Sequence, residues 1–414
     1  MSALKLDASI LINLINMTDW IAAEEARERL GVRPQTLYAY VSRGRLQVRP
    51  DPRDPRRSLY RAIDVAELAA RKQRSRKISE VAQGAIAWGE PVLESAITTV
   101  AGGRLFYRGR DAAALAETET LEAVARLLRG GHGAALKRTD RPTLPPVGDM
   151  RARAFLALAT RAGADPPARG RHPLSLAVEA ATLLDVLADA VAGSVEEGPI
   201  HLRLAIAWGR ANPQRGARVG GVWEYGGPSA DLIRRALILL ADHELNASTF
   251  AARVAASTGA SLAASALAGL SALSGPRHGG APAAVRTLMG EVAAHGARAA
   301  VEARLAEERA LPGFGHPLYT DGDPRAAALL ARFEAAADFQ TLRQAVEGLT
   351  GLAPNVDFAL VAMADALKLP ADAPFALFAV ARCAGWIAHA IEQGQTPGII
   401  RPRARYTGPE PDLG

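Results

Sequence analysis

Residues 261–273 (SLAASALAGLSAL) constrain this chain more than any other stretch. Alanine and leucine favour helix, whereas strands favour β-branched and aromatic side chains. Gly259 precedes the run and Gly275-Pro276 stops it, which sets its bounds. A helix surfaced with Ala, Ser and Gly must lie very close to whatever it packs against. Aromatic residues make up only 5% of the 414, so the whole chain reads as mainly α-helical. Just upstream, residues 248–257 predict a helix with Ser248 or Thr249 at its N-cap. Asp242-His243-Glu244 opens this pair of helices, and His278-Gly279-Gly280 follows it. A histidine beside two glycines sits on a backbone that a ligand can approach closely. Taken alone, it is as readily an ordinary polar loop residue.

Further motifs follow in order. They are Gly313-Phe314-Gly315-His316 with Asp323-Pro324-Arg325, then Asn355-Val356-Asp357-Phe358, then Ala381-Arg382 with Gly385-Trp386-Ile387-Ala388-His389, and last Arg401-Pro402-Arg403. With the first stretch, these resemble the citrate synthase family over about residues 85–408. The resemblance implies a two-domain helical body. Its large domain covers 85–280 and 373–414, its small domain 281–372, and the substrates lie in the cleft between them. It implies an acyltransferase that condenses acetyl-CoA, or another short acyl-CoA, with oxaloacetate to give citrate or 2-methylcitrate. Acyl-CoA is a substrate here, and no cofactor is expected. No metal-ligand spacing, dinucleotide fingerprint or P-loop occurs in the sequence.

The chemistry explains why such residues are needed. A thioester methyl group is a very weak acid. A carboxylate must take its proton while a donor hydrogen-bonds the thioester oxygen as charge develops. The resemblance makes Asp357 the base, His278 the donor, and His316 the residue that polarises and protonates the oxaloacetate carbonyl. His278 must then be neutral. Oxaloacetate is a dianion, and arginine holds carboxylates bidentately. Arg325 and Arg382 match the family's carboxylate-binding arginines, and His243 a further oxaloacetate contact. Arg401 matches an arginine supplied by the neighbouring subunit, which implies a homodimer with a shared site. His389 reads as supporting the site from behind. His132, His172, His201 and His295 match no motif and read as solvent or capping residues. The chain departs from the family pattern at Pro317, Thr320 and Pro282, where basic residues and an asparagine are usual. These changes leave the acyl-CoA open.

The first fifth of the chain differs in charge. Residues 1–84 hold 16 Lys+Arg and 10 Asp+Glu, a net of +6, while the remaining residues hold 33 of each. That asymmetry points to two modules with different partners. Residues 20–30 are helix-patterned, Gly31-Val32 makes a turn, and Pro34 suits the start of a helix over 35–42. Strands at 46–49 and 58–61 flank a basic loop, 51–57, and Asp64 caps a further helix. The spacing resembles a winged helix-turn-helix domain of the MerR or excisionase type over 18–77, joined by a linker at 78–84. On that resemblance Gln35, Thr36, Tyr38 and Tyr40 face a major groove, and Arg43, Arg45, Arg53, Arg56 and Arg57 meet phosphates. The same module could instead dock on protein, with its arginines a solvated face. A second function class follows: a DNA-binding regulator whose body senses oxaloacetate, citrate or CoA.

A single cysteine, Cys383, excludes an internal disulfide, suits a reducing cytoplasm, and reads as a buried packing residue. No apolar run is long enough to span a membrane, so no membrane partner is expected. Met17 directly precedes the patterned sequence and reads as the native start.

Overall fold

The computed structural model describes residues 20–32, 36–37, 40–41, 46–69, 93–131, 148–210, 218–219, 222–223, 227–404 and 406–411. The side chains of Arg56, Arg210 and the strand residues between 218 and 223 lie outside that description. The chain divides into two compact units, Met1–Glu94 and Ser95–Gly414.

The first unit is built on a three-stranded antiparallel sheet, β1 (Trp20–Ala22), β2 (Val48–Asp51) and β3 (Asp54–Arg61), in the order β1-β3-β2. Trp20–Ala22 was expected to be helical. It pairs instead with β3, Ile21 opposite Tyr60, and the helix α1 (Ala23–Leu30) starts after it. The reason is burial: Ile21 and Tyr60 both enter the unit's core with Ala26, Leu30, Leu37, Leu46 and Val65. Gly31 ends α1 in the left-handed region at φ 56°, where glycine carries no steric penalty. The expected basic loop is shorter than 51–57. Asp51 faces Asp54, so only Pro52 and Arg53 form the turn, and Arg57 lies exposed on β3. The helix after β3 (α2, residues 62–69) begins before Asp64. Asp64 is therefore no cap. Its Oδ2 accepts the Gln47 N–H at 2.9 Å and ties α2 to β2.

The second unit opens with a small meander, β4 (Thr98–Ala101), β5 (Arg104–Tyr107) and β6 (Arg110–Asp111). It leads into α3 (Ala112–Thr118) and α4 (Leu121–Leu128), N-capped by Asp111 and Thr120. Then come α5 (Met150–Ala164), α6 (Pro173–Ala192) and α7 (Ile200–Arg210). His172 caps α6 through Nδ1, a capping role like the one expected of it. His201 does not cap: it is half-buried on α7 with a buried Nδ1 that has no hydrogen-bond partner among the described residues. His132 lies outside the described residues. The glycine-rich connection before Gly227 contains a minimal hairpin, β7 (Arg218–Val219) with β8 (Val222–Trp223).

Residues 242–280 follow α8 (Pro228–Leu240) and form α9 (Ala247–Ser257) and α10 (Leu262–Leu273). The cap of α9 is Asn246, not Ser248 or Thr249. Its Oδ1 accepts both of their N–H groups, at 3.1 and 3.2 Å. Ser261 caps α10. Then follow α11 (Ala281–His295), α12 (Ala297–Ala306), α13 (Pro324–Leu330), α14 (Ala337–Thr350), α15 (Val356–Ala366) and the long α16 (Ala373–Gly394). Pro282 sits in the first turn of α11, where its missing N–H costs no helical bond.

Two cores result. The larger includes α4 to α6 and α8 to α10 with nearly all of α16. The smaller gathers Val285, Leu288, Val301, Phe314, Leu342 and Phe358. Helix α15 serves both: Ala359, Leu360 and Met363 face the larger, Phe358, Val361 and Ala362 the smaller. Among the described residues α16 alone is long and apolar enough to cross a membrane, and 94% of its apolar window is buried within the protein. Its length is spent on core packing.

The small residues of α10 permit one particularly close approach. A Cβ on Gly269 would lie 2.6 Å from Cδ2 of Trp386 on α16. Gly269→Ala should therefore destabilise the body by about 1–3 kcal/mol, the usual cost of overpacking a filled core. A urea midpoint equal to that of the parent protein would show that the indole has room to move.

Candidate active site

The site is assembled where the turns before α9, α11 and α13, the N-terminus of α15 and the middle of α16 meet. Its first anchor is the turn 240–244. Arg382 on α16 donates from Nε to the Leu240 carbonyl at 2.9 Å, and the Gly385 N–H donates to Ala241 O at 3.1 Å. A Cβ at Gly385 would stand 2.3 Å from Asp242 Oδ1, so only glycine allows this approach. His389, one turn further, bonds Asp242 Oδ2 at 3.2 Å and meets Arg253 at 3.2 Å from its other nitrogen. It thus supports the site from behind, as anticipated. Glu244 is held at φ 50°, with its carboxylate accepting the Val100 N–H at 2.7 Å. A non-glycine residue there is strained, and such strain concentrates at functional turns.

This clamp places His243. It is 7% exposed, its Nε2 lies 2.9 Å from the Tyr319 hydroxyl, and its ring stands edge-on to His316 at 5.2 Å. Burial holds its pKa well below the ordinary value, reinforced by Arg325, Arg382, His316 and His278. His316 follows the Gly313-Phe314-Gly315 turn, where glycines at φ 88° and 69° bend the backbone. Its Nδ1 accepts the Leu318 N–H at 3.1 Å. Since that nitrogen is an acceptor, the proton of the neutral ring sits on Nε2. Burial, aided by Arg325, pushes its pKa down to about 4.

His278 sits on the turn between α10 and α11. Its two glycines are needed for close packing: a Cβ on Gly279 would meet Leu273 at 2.7 Å, and one on Gly280 would meet Pro276 at 2.7 Å. The tight approach expected there is thus within the chain itself. His278 Nε2 lies 2.9 Å from the Ser248 hydroxyl, and its ring stands edge-on to Phe378. Burial and then Arg382 push its pKa down to about 4, so the ring is neutral at pH 7.

The two arginines differ in their compensation. Arg325, 3% exposed, lies in the first turn of α13 against Asp323, with Nε and Nη2 bonded to the carboxylate at 2.9 and 2.8 Å. Burial disfavours its charge, but Asp323 outweighs that and raises its pKa. Arg382 is 1% exposed, and its Nη2 is buried with no hydrogen-bond partner among the described residues. Burial, with Arg325 adding to it against Asp242, lowers its pKa to about 10. An unpartnered buried guanidinium nitrogen is costly unless an anion arrives.

Asp357 completes the group. Asn355 caps α15 by accepting the Asp357 N–H at 3.0 Å, which fixes the acid in the first helical turn. A helix N-terminus favours a carboxylate's charge. Burial wins here, raising its pKa to about 6 against the pull of Arg325. Its Oδ1 is buried with no hydrogen-bond partner among the described residues. The site therefore holds a carboxylate poised to take a proton, three neutral imidazoles, and a cation lacking its anion. That set can deprotonate a carbon acid beside a carbonyl and bind a dicarboxylate.

Of the expected substrate residues, His243, His278, His316, Arg325, Arg382 and Asp357 come together within this one chain. Arg401 does not. It lies exposed after α16, on a segment pinned by the Ile400 N–H to Ser257 Oγ at 3.1 Å. Pro317 and Thr320 are exposed beside His316. Cys383 is fully buried, and burial pushes its thiol up to about 12, so Arg382 beside it does not activate it. Tyr319, Phe378 and Ser248 were not assigned to the site from sequence. Tyr319 lies between His243 and Arg325, and the Arg382 guanidinium lies 4.9 Å from the centre of the Phe378 ring. Only the helical spacing of Phe378, four residues before Arg382, could have signalled it.

Of the DNA-contact candidates, Thr36 and Tyr40 lie half-buried in helical backbone, and Tyr40 packs on its unit's core. Arg53 and Arg57 are exposed on the hairpin. Gln35, Tyr38, Arg43, Arg45 and the Arg56 side chain lie outside the described residues.

The family described as "Citrate synthase, C-terminal domain" matches residues 218–403. "Citrate synthase 2" of Bacillus subtilis is 38% identical over 191 residues, 44% of this chain, and the match spans about half (51%) of that relative's length. "Putative citrate synthase 2" of Mycobacterium tuberculosis is 33% identical over 350 residues, 75% of this chain and 88% of that protein. Among solved structures, citrate synthase from Thermotoga maritima superposes with a TM-score of 0.52 at 28% identity, covering 78% of this chain and 94% of that one.

The raised pKa of Asp357 has a consequence for stability. The folded chain holds its proton more tightly than the unfolded chain does, whose value is near 3.8. The resulting stabilisation is full below that value and is lost as pH rises through about 6. Asp357→Asn should thus stabilise the fold at pH 7–8 by on the order of 1–3 kcal/mol, with the gain shrinking towards pH 4. Chemical denaturation at both pH values checks this, and a variant equally destabilised at both would contradict the burial argument.

Proposed function

Because the chain belongs to the citrate synthase family, we propose that it condenses a short acyl-CoA with oxaloacetate, giving citrate or 2-methylcitrate and free CoA. The observation that carries this reading is that, among the described residues, Asp357 Oδ1 and Arg382 Nη2 are both buried and both without a hydrogen-bond partner. Arg325, Arg382 and His243 receive the oxaloacetate carboxylates. Asp357 removes a proton from the carbon next to the thioester carbonyl, and His278 donates to the thioester oxygen. The carbon so activated attacks the ketone carbon of oxaloacetate. His316, protonated on Nε2, supplies the proton to the ketone oxygen. Water then cleaves the citryl thioester and releases the thiol. No cofactor enters this sequence of steps.

Arg401 completes the oxaloacetate site of the partner subunit in a homodimer. Its exposure, on a segment fastened to the body at Ile400, supports that role. The smaller core around α11 to α14 supports a small domain over 281–372 that closes on the large one, with α15 serving both. Exposed Pro317 and Thr320 supply no positive charge for CoA phosphates, so the acyl-CoA is held less tightly there. The buried thiol of Cys383 suits a cytoplasmic setting.

Free-thiol release from a panel of acyl-CoAs with oxaloacetate tests the reading. Asp357→Asn should lose at least about 10²-fold in kcat, the usual worth of a general base. In the parent protein kcat/KM should fall as pH drops through about 6, because Asp357 then takes up a proton. The two histidines, with pKa values pushed down to about 4, stay neutral throughout that range. Thiol release undiminished in Asp357→Asn would remove the base from this scheme.

A second reading concerns residues 1–84, whose net charge of +6 equals that of the whole chain. The two-residue turn at Pro52-Arg53 and the exposed Arg57 support a winged helix-turn-helix over 18–77 that binds DNA. Affinity should then fall steeply with salt, since each phosphate contact releases counterions. A homodimer would prefer an inverted repeat. Retention on random and selected DNA at low and moderate salt decides it. If nothing is retained at low salt, the module docks on protein.

A further inference from the structure

Three groups surround the Ser248 hydroxyl, and its single proton cannot serve all of them. Trp386 Nε1 lies 3.1 Å away, Asn246 Oδ1 2.7 Å, and His278 Nε2 2.9 Å. The indole N–H only donates, so it occupies one lone pair of Ser248 Oγ. The orientation of the Asn246 amide is fixed by its other contacts. Its Oδ1 accepts the N–H groups of Ser248 and Thr249, while its Nδ2 donates to His243 O at 3.1 Å and Glu244 O at 3.4 Å. The oxygen facing Ser248 is therefore an acceptor, and at 2.7 Å it demands the hydroxyl proton. The remaining lone pair of Ser248 is left for His278, so Nε2 must be the donor. A neutral imidazole carries one N–H. With that proton on Nε2, Nδ1 is bare.

We propose that Asn246 and Trp386, acting through Ser248, set the tautomer of His278, and that in the ligand-free chain they hold it with Nε2 protonated and Nδ1 an acceptor. This rests on the donor role proposed for His278, because Nε2 is committed to Ser248 and only Nδ1 is left for a ligand. A bare Nδ1 cannot donate to a thioester oxygen. Donation requires the other tautomer: the Nε2 proton leaves to water, a proton from water arrives on Nδ1, and the Ser248 hydroxyl turns from Asn246 to Nε2. No net proton is gained or lost. His278 is thus an acceptor at rest and becomes a donor when the site is filled. The residue that decides between the states is Asn246, which reads in sequence only as a helix cap.

Nitrogen-15 NMR of histidine-labelled full-length protein distinguishes a protonated from a bare ring nitrogen, and a His278→Asn sample assigns the resonance. In the free parent protein, Nε2 should resonate as protonated and Nδ1 as bare. Oxaloacetate with an unreactive acyl-CoA thioether should reverse that pattern. Asn246→Gly, which keeps a permissible cap, frees the Ser248 proton for Nε2 and should give the Nδ1-protonated form without ligand. Asn246→Asp retains the acceptor and should keep the parent pattern. A free parent protein already protonated on Nδ1, or an Asn246→Gly protein still protonated on Nε2, overturns the proposal. The free-state measurements involve no turnover, so they stand or fall apart from the condensation activity. Loss of that activity with the resting tautomer as stated would count against the proposed function alone.

Discussion

Everything in the site hangs on one clamp between α16 and the turn at 240–244. Arg382, Gly385 and His389 lie along one side of the helix, and each holds the turn: a guanidinium on the Leu240 carbonyl, a backbone N–H on Ala241, an imidazole on the Asp242 carboxylate. The missing Cβ of Gly385 sets the distance. His243 and the start of α9 are carried by that turn, and so Ser248 and Asn246 are too. The same helix buries Trp386 against Gly269 of α10, which closes the back of the site. A buried helix with almost no freedom to shift is a sound base for groups that must sit within a fraction of an ångström of a reacting molecule.

The electrostatics of the site are unbalanced by design of the fold. Arg325 is neutralised by Asp323 in a buried pair, and that pair also receives the Val356 N–H at the head of α15. It therefore works as structure as well as charge, joining α13 to the helix that carries Asp357. Among the described residues Arg382 has no such acid at contact distance, and Asp357 has no donor for Oδ1. Each is held in a state that water would relieve. Burying a charge or an acid without its partner costs stability, and a ligand that supplied the missing partners would recover that cost. Keeping the two unpaired groups apart, with neutral histidines around them, prevents them from satisfying each other.

Much of this was legible in the chain itself. The Ala- and Leu-rich runs gave helices at nearly their observed bounds, because intrinsic propensity and breakers act locally. His278, His316, Asp357 and Arg382 each stood in a short motif. Errors fell where a neighbour distant in sequence overrode the local pattern. Trp20–Ala22 became a strand because β3 was there to pair with it. Asn246 displaced Ser248 and Thr249 as the cap because the turn before it was already fixed by α16. Tyr319 went unassigned because nothing in its immediate surroundings marks it, and Phe378 is marked only by standing one helical turn before Arg382.

Residue identity was therefore decided by the sequence: which acid, which histidines and which arginines. What those groups do was decided only by the tertiary structure. Whether Asp357 titrates near 4 or near 6 depends on what buries it, and whether Arg382 is paired depends on what the cleft leaves empty. Which nitrogen of His278 bears the proton depends on Trp386, 138 residues from Ser248 along the chain. Protonation and pairing are properties of a local dielectric and of neighbours in space, and neither exists until helices far apart in sequence are brought into contact.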